Sequence, residues 1–466
     1  MSRHLDKVLA HAERELAPAG RARPTEVLPL YKKFLRIEEH RLRLKHQAGA
    51  RGRDICRRRA DLIDVLLQRV FMAADNFARN ESETEPTPLA VLALGGYGRG
   101  ELNPFSDVDV MFLHGDAAEE VSPYASQVIE QVLYLLWDIG FKVGHSTRSI
   151  CEAVQHANSE MYSKTAMLES RFLIGDRELA RRFRETFRTD CVEGFEREYV
   201  ALRMQDQAAR HAKFGNSVHM QEPHVKSGCG GLRDYQNLLW ITFFKEGELT
   251  TKRLVGKDWL SPGDQRRIEA AYDFLLRVRN DLHYLNGRAT DVLHLNIQEQ
   301  IATRFGYRRS GGSTASEVFM KDYYAHTRNI FRVTQRITEQ FASGRSSNGS
   351  QPIFDLRSSA PCEEEELGDF VRRGHQLFIK RSDLLHENPA AIMELFEVAQ
   401  LHGLVLSPTL EDLLSRNPGL VTKEFRYATP QRETFQRILS RKGKAGAVLR
   451  MMHQVDFLGR YMPEFA

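Results

Sequence analysis

Two acids and a run of glycines carry the densest chemistry in this 466-residue chain. They fall within one segment, LALGGYGRGELNPFSDVDVMFL, at positions 92–113. Gly95 and Gly96 end an apolar run, and Asp107 and Asp109 flank Val108 about ten residues later. Without a Cβ, a glycine pair lets the backbone take positive φ and approach a ligand closely. Successive N–H groups in such a bend form a concavity suited to phosphate. On a strand, residues two apart share a face, so Asp107 and Asp109 would project together while Val108 packs behind them. Two carboxylates side by side repel unless a hard cation such as Mg²⁺ lies between them and substrate phosphates. Two such ions about 4 Å apart would clamp the attacking and leaving oxygens of an in-line displacement. A lone glycine pair is ordinarily a turn, and a lone D-x-D is ordinarily a surface feature or a capping aspartate. Joined behind one strand and at the start of the next, they outline a phosphoryl-transfer site. A dinucleotide fingerprint does not fit: Gly96, Gly98 and Gly100 have the wrong spacing, and an acidic strand follows instead of a long helix.

The elements that must hold these groups follow from periodicity. Leu89–Leu94 is a short apolar run with the character of a buried strand, Val108–Leu113 is a second strand, and Phe141–Ser149 a third. Between the last two, Pro123–Asp138 carries Val128, Val132, Leu135 and Leu136 on one side of a helix. Residues 1–80 read as helices, ESETEPTP at 81–88 as a loop, and 264–290 and 315–341 as long amphipathic helices. ASGRSSNGSQP, 342–352, reads as a linker before a last helical module at about 354–466. The expected fold class is α+β and mostly helical, a small mixed sheet among helical domains.

Composition narrows the function. The net charge of +4, from 66 basic and 62 acidic side chains, argues against wholesale nucleic-acid binding. The one basic concentration, Arg41–Arg59, lacks interleaved aromatic residues and reads as a solvated helix face. Five scattered cysteines without a CxxC pair indicate neither a zinc site nor a disulfide framework. The N-terminal stretch has no signal-peptide core, and no apolar run approaches a membrane span. A cytoplasmic protein without a membrane partner is the expectation. His145, His224 and His283 lack metal-ligand spacing and read as packed or surface histidines. In KSGCGGLRDYQ, 226–236, the glycines make a flexible turn before a helix, with Arg233 and Asp234 read as exposed. There Lys226 and Arg233 either contact nucleotide phosphates or an acidic partner, or the segment is a packing junction with an Arg–Asp pair.

GGYGRGELNPFSDVDVMFL resembles the signature of the polymerase β-like nucleotidyltransferases, and in detail the protein-PII uridylyltransferase/uridylyl-removing enzymes. LWDIGFKVGHSTRS at 136–149, MLESRFLIGDREL at 167–179, EPHVKSGCGGLRDYQNLLW at 222–240 and FLLRVRNDLHYLNGR at 274–288 are similar to that family too. FMKDYYAHTRNIFRVT at 319–334 and VLRMMHQVDFLGRYMPEF at 448–465 complete the set in family order. The resemblance implies an N-terminal helical region at 1–80, a nucleotidyltransferase domain at 81–185, a helical associated domain at 186–342, a linker at 343–353 and a C-terminal module at 354–466. It implies Asp107 and Asp109 as the Mg²⁺ ligands and catalytic pair, and Gly95, Gly96, Arg99 and Ser106 as nucleotide contacts. It also implies a third carboxylate. Phe141–Ser149 supplies none, since Gly144 and His145 stand where an acid would be sought, and Glu169 is the candidate. The implied reaction transfers UMP from UTP to a tyrosine of the PII signal protein. Alternatives are an adenylyltransferase, an RNA-tailing enzyme, or a regulatory module that binds nucleotide or PII without turnover. The family continues into an HD phosphohydrolase domain and paired ACT domains, whereas this sequence stops at Ala466. Transfer without removal, and without glutamine sensing, is the expectation that follows.

Overall fold

The computed structural model describes residues 3–16, 24–81, 85–115, 121–257, 259–343, 364–374, 376–381 and 383–465. These fall into two compact units, Met1–Thr334 and Gln335–Ala466. No described helix is long and apolar enough to cross a membrane.

The first unit opens with three helices, α1 (Arg3–Leu16), α2 (Pro24–Gln47) and α3 (Gly52–Glu81). Strand β1 (Leu89–Ala93) leads into a single helical turn, α4 (Gly95–Gly98), and then β2 (Val108–His114). Helix α5 (Pro123–Ile139) precedes β3 (Val143–Arg148), followed by α6 (Ile150–Ser159), α7 (Met161–Leu168), β4 (Arg171–Gly175) and α8 (Arg177–Phe187). Six helices complete the described unit: α9 (Glu196–Lys213), α10 (Leu232–Glu246), α11 (Thr251–Gly256), α12 (Pro262–Asn286), α13 (Leu295–Arg304) and α14 (Ala315–Ser343), the last running past the unit boundary. Local signals set the ends of the central helices. In α5, Ser122 Oγ accepts from the Ala125 N–H, Pro123 occupies the first turn and Gly140 takes φ 110° at the C-cap. Ser149 and Glu152 form a reciprocal capping box on α6.

The sheet has the order β3-β2-β1-β4. Strand β1 runs antiparallel to β2 and β4, while β2 and β3 are parallel, so the sheet is mixed. Every residue of β1 is buried, because both faces are covered. Leu89, Val91, Val108 and Phe112 pack on one side with residues of α1, α2, α3 and α5. Ala90, Leu92, Met111 and Leu113 pack on the other with Ile150, Phe183 and Trp240. Each such Val, Leu, Ile, Phe or Met side chain, fully buried, contributes about 1.5–3 kcal/mol. This two-sided core fixes β2, and β2 in turn places the acids at its start.

The second unit corrects the expectation of a purely helical C-terminal module. Its described part begins with a sheet of order β5-β6-β7-β8, formed by Glu364–Leu367, Phe370–Arg373, Gln376–Ile379 and Val405–Leu406. These strands are at most four residues long, β5 and β6 are heavily charged, and within β5–β7 only Phe370 and Leu377 are buried. So short a polar pattern gives little period-2 signal. Helices such as Ala391–His402 and Thr429–Ser440 follow, around Phe396, Phe425 and Phe457. Most of the expected linker lies outside the described residues.

Candidate active site

Strand β1 ends at Ala93, and the next N–H, from Leu94, donates to the Asp109 carbonyl at 2.9 Å. The glycine bend is thereby bonded directly to the acid strand. Gly95 takes φ +53°, a conformation that costs a Cβ-bearing residue energy. The chain then makes one turn, with Gly98 N–H on Leu94 O at 2.8 Å and Glu101 N–H on Gly96 O at 2.9 Å.

Asp107 is exposed immediately before β2, Val108 is fully buried, Asp109 is half-buried and Val110 is buried again. This is the alternation expected of two acids on one face. Both line a cleft of about 720 Å³ together with Gly95, Gly96, Arg99 and Ser106. Asp109 Oδ2 lies 3.6 Å from where a Gly95 Cβ would stand. Across the β2–β3 ladder, Asp109 pairs with Gly144. Burial and the neighbouring Asp107 push the Asp109 carboxyl above the usual carboxylate range, with Lys226 opposing. Among the described residues neither carboxylate has a hydrogen bond or ion pair, and no group of three His, Cys, Asp or Glu residues is arranged to hold a metal.

The loop that delivers Ser106 and Asp107 is anchored from beneath by Asn103, which is 1% exposed. Its amide nitrogen donates to Asn280 at 2.7 Å, its amide oxygen accepts from Arg279 at 2.5 Å, and its backbone carbonyl accepts from Arg59 at 2.8 Å. The Pro104 carbonyl bonds the buried His283 ring. Helices α3 and α12 therefore set the position of Asp107. Ser106 Oγ is buried and has no hydrogen-bond partner among the described residues, a polar atom left open on the cleft wall.

Glu169 also lines the cleft, but it is not grouped with the aspartates in a three-acid cluster. It caps the end of α7, is 4% exposed, and both its oxygens are engaged. Arg99 donates to one at 2.5 Å and the Trp240 indole N–H bonds the other. Burial pushes its carboxyl up against the opposing pull of Arg99 and Trp240. Arg99 in turn donates to Glu101 at 3.1 Å, and the Tyr272 hydroxyl donates to the same Glu101 oxygen at 2.6 Å. The arginine read as a phosphate contact thus sits between two carboxylates.

The segment 226–236 supplies cations to the same cleft, through Lys226 and Arg233. Its expected exposure is corrected here. Asp234 is fully buried and Arg233 half-buried, because α10 is covered on nearly all sides. Asp234 accepts from the Gly230 N–H at 2.7 Å, from Arg210 at 2.7 Å and from His211 at 2.9 Å, clamping the glycine loop. Although burial works the other way, His211 and Arg210 hold its carboxyl below the usual range. Lys226 has no hydrogen-bonded acid among the described residues, and burial followed by Arg279 and Arg233 pushes it down to about 8. Arg233 lies 5.1 Å from the Trp240 ring centroid and is pushed down to about 10, by burial and then by Arg99. Arg279, by contrast, is paired with Asp291 at 2.6 Å. Among the described residues the cleft therefore offers two acids and two cations, Lys226 and Arg233, none of them held in a direct ion pair, with Lys226 acting on Asp109 only through its charge. Sequence spacing could not disclose Asn103, Trp240, Arg279 or Asp291, because each comes from a different element.

Three family descriptions match the chain: "GlnD PII-uridylyltransferase" over residues 198–338, "Uridylyltransferase GlnD third domain" over 370–461, and "Putative nucleotidyltransferase DUF294" over 40–164. The chain is 31% identical to a bifunctional uridylyltransferase/uridylyl-removing enzyme of Azospirillum brasilense over 426 residues, which is 91% of this chain and 45% of that protein. It thus spans less than half the length of that relative. With matched segments in both units and the glycine–aspartate cleft in the first, the chain belongs to the GlnD uridylyltransferase family.

Proposed function

We propose that this protein is a Mg²⁺-dependent nucleotidyltransferase that moves UMP from UTP to a tyrosine hydroxyl of a PII signal protein. The acceptor hydroxyl releases its proton to solvent, its oxygen forms a bond to the α-phosphorus, the bond from that phosphorus to the bridging oxygen breaks, and diphosphate leaves. One observation carries the reading: Asp107 and Asp109 share a cleft with the glycine bend and the cations Lys226 and Arg233, and among the described residues none of these four is held in a direct ion pair.

The donor set fits Mg²⁺, which is commonly held by one or two carboxylates with substrate phosphates and water completing an octahedral shell. Bound between Asp107 and Asp109, the ion would relieve their repulsion and neutralise charge developing on the transferred phosphoryl group. Lys226 and Arg233 bind and orient the triphosphate and stabilise the departing diphosphate. Gly95 and Gly96 let the backbone approach the phosphates, and Ser106 offers its open hydroxyl. Arg99, fixed by Glu169 and Glu101, has its charge taken up by those carboxylates and holds the turn in place. Buried free thiols such as Cys56 and Cys191 suit a reducing compartment, and we place the protein in the cytoplasm.

The test is incubation with labelled UTP, ATP, CTP or GTP, Mg²⁺ and a purified PII protein. Label on PII from UTP, absent with chelator and in Asp107→Asn, supports the reading. Label from ATP alone overturns the uridylyl assignment, and nucleotide binding with no diphosphate release overturns the transferase assignment.

A further inference from the structure

The basic run Arg41–Arg59 is sorted by the fold. Arg51, Arg53 and Arg59 pair with Asp273, Glu269 and Glu39, and Arg43 lies 5.8 Å from the Tyr284 ring centroid. Arg41 and Lys45 face the other way, toward α1. There α1 presents His4, Lys7, His11 and Arg14 at the spacing of a single helical stripe, opposite Glu38, Arg41 and Lys45 of α2. Between them lies a second concavity, of about 560 Å³.

Its charge balance is one-sided. Glu38 is the single acid lining it among the described residues, is 2% exposed, and is already bonded by His11 at 2.6 Å and Arg41 at 2.5 Å. For Lys45 the hydrogen-bond partner is His4 Nδ1, at 3.2 Å. An ammonium can only donate, so that ring nitrogen accepts and the imidazole is neutral. Burial, then Lys45 and Arg58, push His4 down to about 4, and it is 8% exposed. Burial, then Arg58, with Lys7 and Arg41 adding to it, depress Lys45 as well, against the opposing pull of Glu38. Four cations and two histidines thus line a concavity to which, among the described residues, only Glu38 brings a negative charge. In a dielectric below that of water this arrangement disfavours the empty state.

We infer that the concavity between α1 and α2 binds a small, multiply charged oxyanion, with Lys7, Lys45, Arg14 and Arg41 as its cationic lining. A phosphorylated metabolite and a polycarboxylate share this chemistry. The site is formed by α1 and α2, whereas Lys226 lies in the turn before α10 and Arg233 on α10, so its ligand is separate from the nucleotide.

The test is calorimetric titration of the full chain carrying Lys226→Gln, which weakens anion binding in the nucleotide cleft. Inorganic phosphate and citrate are compared with chloride at matched ionic strength. One-to-one binding of either supports the site; tighter phosphate indicates a phosphorylated ligand and tighter citrate a polycarboxylate. Adding Lys7→Gln and Lys45→Gln should weaken that binding by roughly tenfold or more. No binding beyond chloride, or binding untouched by the two changes, overturns the inference. Thermal unfolding in chloride alone gives a second check. Because the lysines repel their neighbours, Lys45→Gln should leave Tm unchanged or raise it, and a fall would mark Lys45 as a structural contact and overturn the inference.

Discussion

Asp109 and Gly144 stand opposite each other on β2 and β3, and a Cβ at position 144 would lie 2.3 Å from Asp109 Oδ1. The missing side chain on β3 is what gives the Asp109 carboxylate its place. Gly144→Ala should therefore displace that carboxylate and lower kcat by roughly tenfold or more, in line with small misplacements of reacting groups. Far-ultraviolet circular dichroism should stay unchanged, since β3 is an edge strand. Full activity in this variant would show that the Asp109 position is not critical.

Asp109 also makes a prediction about stability. Its folded-state carboxyl is raised by burial and by Asp107, so the folded state binds that proton more tightly than the unfolded chain does. Stability from this group is present at low pH and is lost as pH rises through the folded value. In metal-free buffer, Asp109→Asn should raise Tm near pH 7 and have no such effect below about pH 3.9, where the unfolded carboxyl is itself protonated. Added Mg²⁺ should stabilise the parent chain and not the variant. Equal Tm values at both pH values would remove the case for an unrelieved acid pair.

What could be read from the sequence, and what could not, divides along a physical line. Strand alternation at Val108 and Val110 requires only neighbouring residues, so the shared face of Asp107 and Asp109 was legible. The mostly helical α+β class was legible as well, because long stripes such as that of α12 repeat the same signal many times. Asp234 was misread because a helix covered on nearly all sides has no solvent face to which a charge can be assigned. Nor could spacing reveal that the Glu169 oxygens are taken by Arg99 and Trp240, 70 and 71 positions away. Tertiary partners leave no local period.

Lys226 should impose a pH dependence on nucleotide binding. Burial, Arg279 and Arg233 push it down to about 8, so its ammonium is present below that pH and is lost as pH rises through it. UTP affinity should fall between about pH 7 and 9, the range around the depressed value over which an amine loses its charge. In Lys226→Met the affinity should be weaker at pH 7 and flat over the same range. A parent profile as flat as that of the variant would rule out Lys226 as a phosphate contact.

Asp234 holds the loop beneath Lys226 rather than touching the nucleotide. Its carboxylate is 0% exposed and accepts from Gly230, Arg210 and His211. Asp234→Ala leaves buried donors without an acceptor, and should cost about 3–5 kcal/mol, the scale for breaking a buried pair. Hydrogen exchange should quicken at Gly228–Gly231 before it does in β1. Protection unchanged in that loop would show that other contacts hold it.

Glu169 decides between two roles that a loss of activity alone would not separate. As a metal ligand it would share in the Mg²⁺ site, and Glu169→Gln would raise the Mg²⁺ concentration needed for half-maximal rate. As a positioning residue it acts through Arg99, whose guanidinium it holds at 2.5 Å against the Glu101 contact at 3.1 Å. Both its oxygens are already bonded, and among the described residues no third acid joins Asp107 and Asp109, so the second role is the one expected. Glutamine keeps the shape and can still accept from Trp240, but it withdraws a negative charge from a buried arginine. The KM for UTP should therefore change while half-saturation by Mg²⁺ stays the same, and Glu169→Asp, which restores the charge on a shorter arm, should recover part of the loss. A shift in Mg²⁺ half-saturation of about tenfold, the scale on which losing a metal-site partner acts, would instead place Glu169 on the metal.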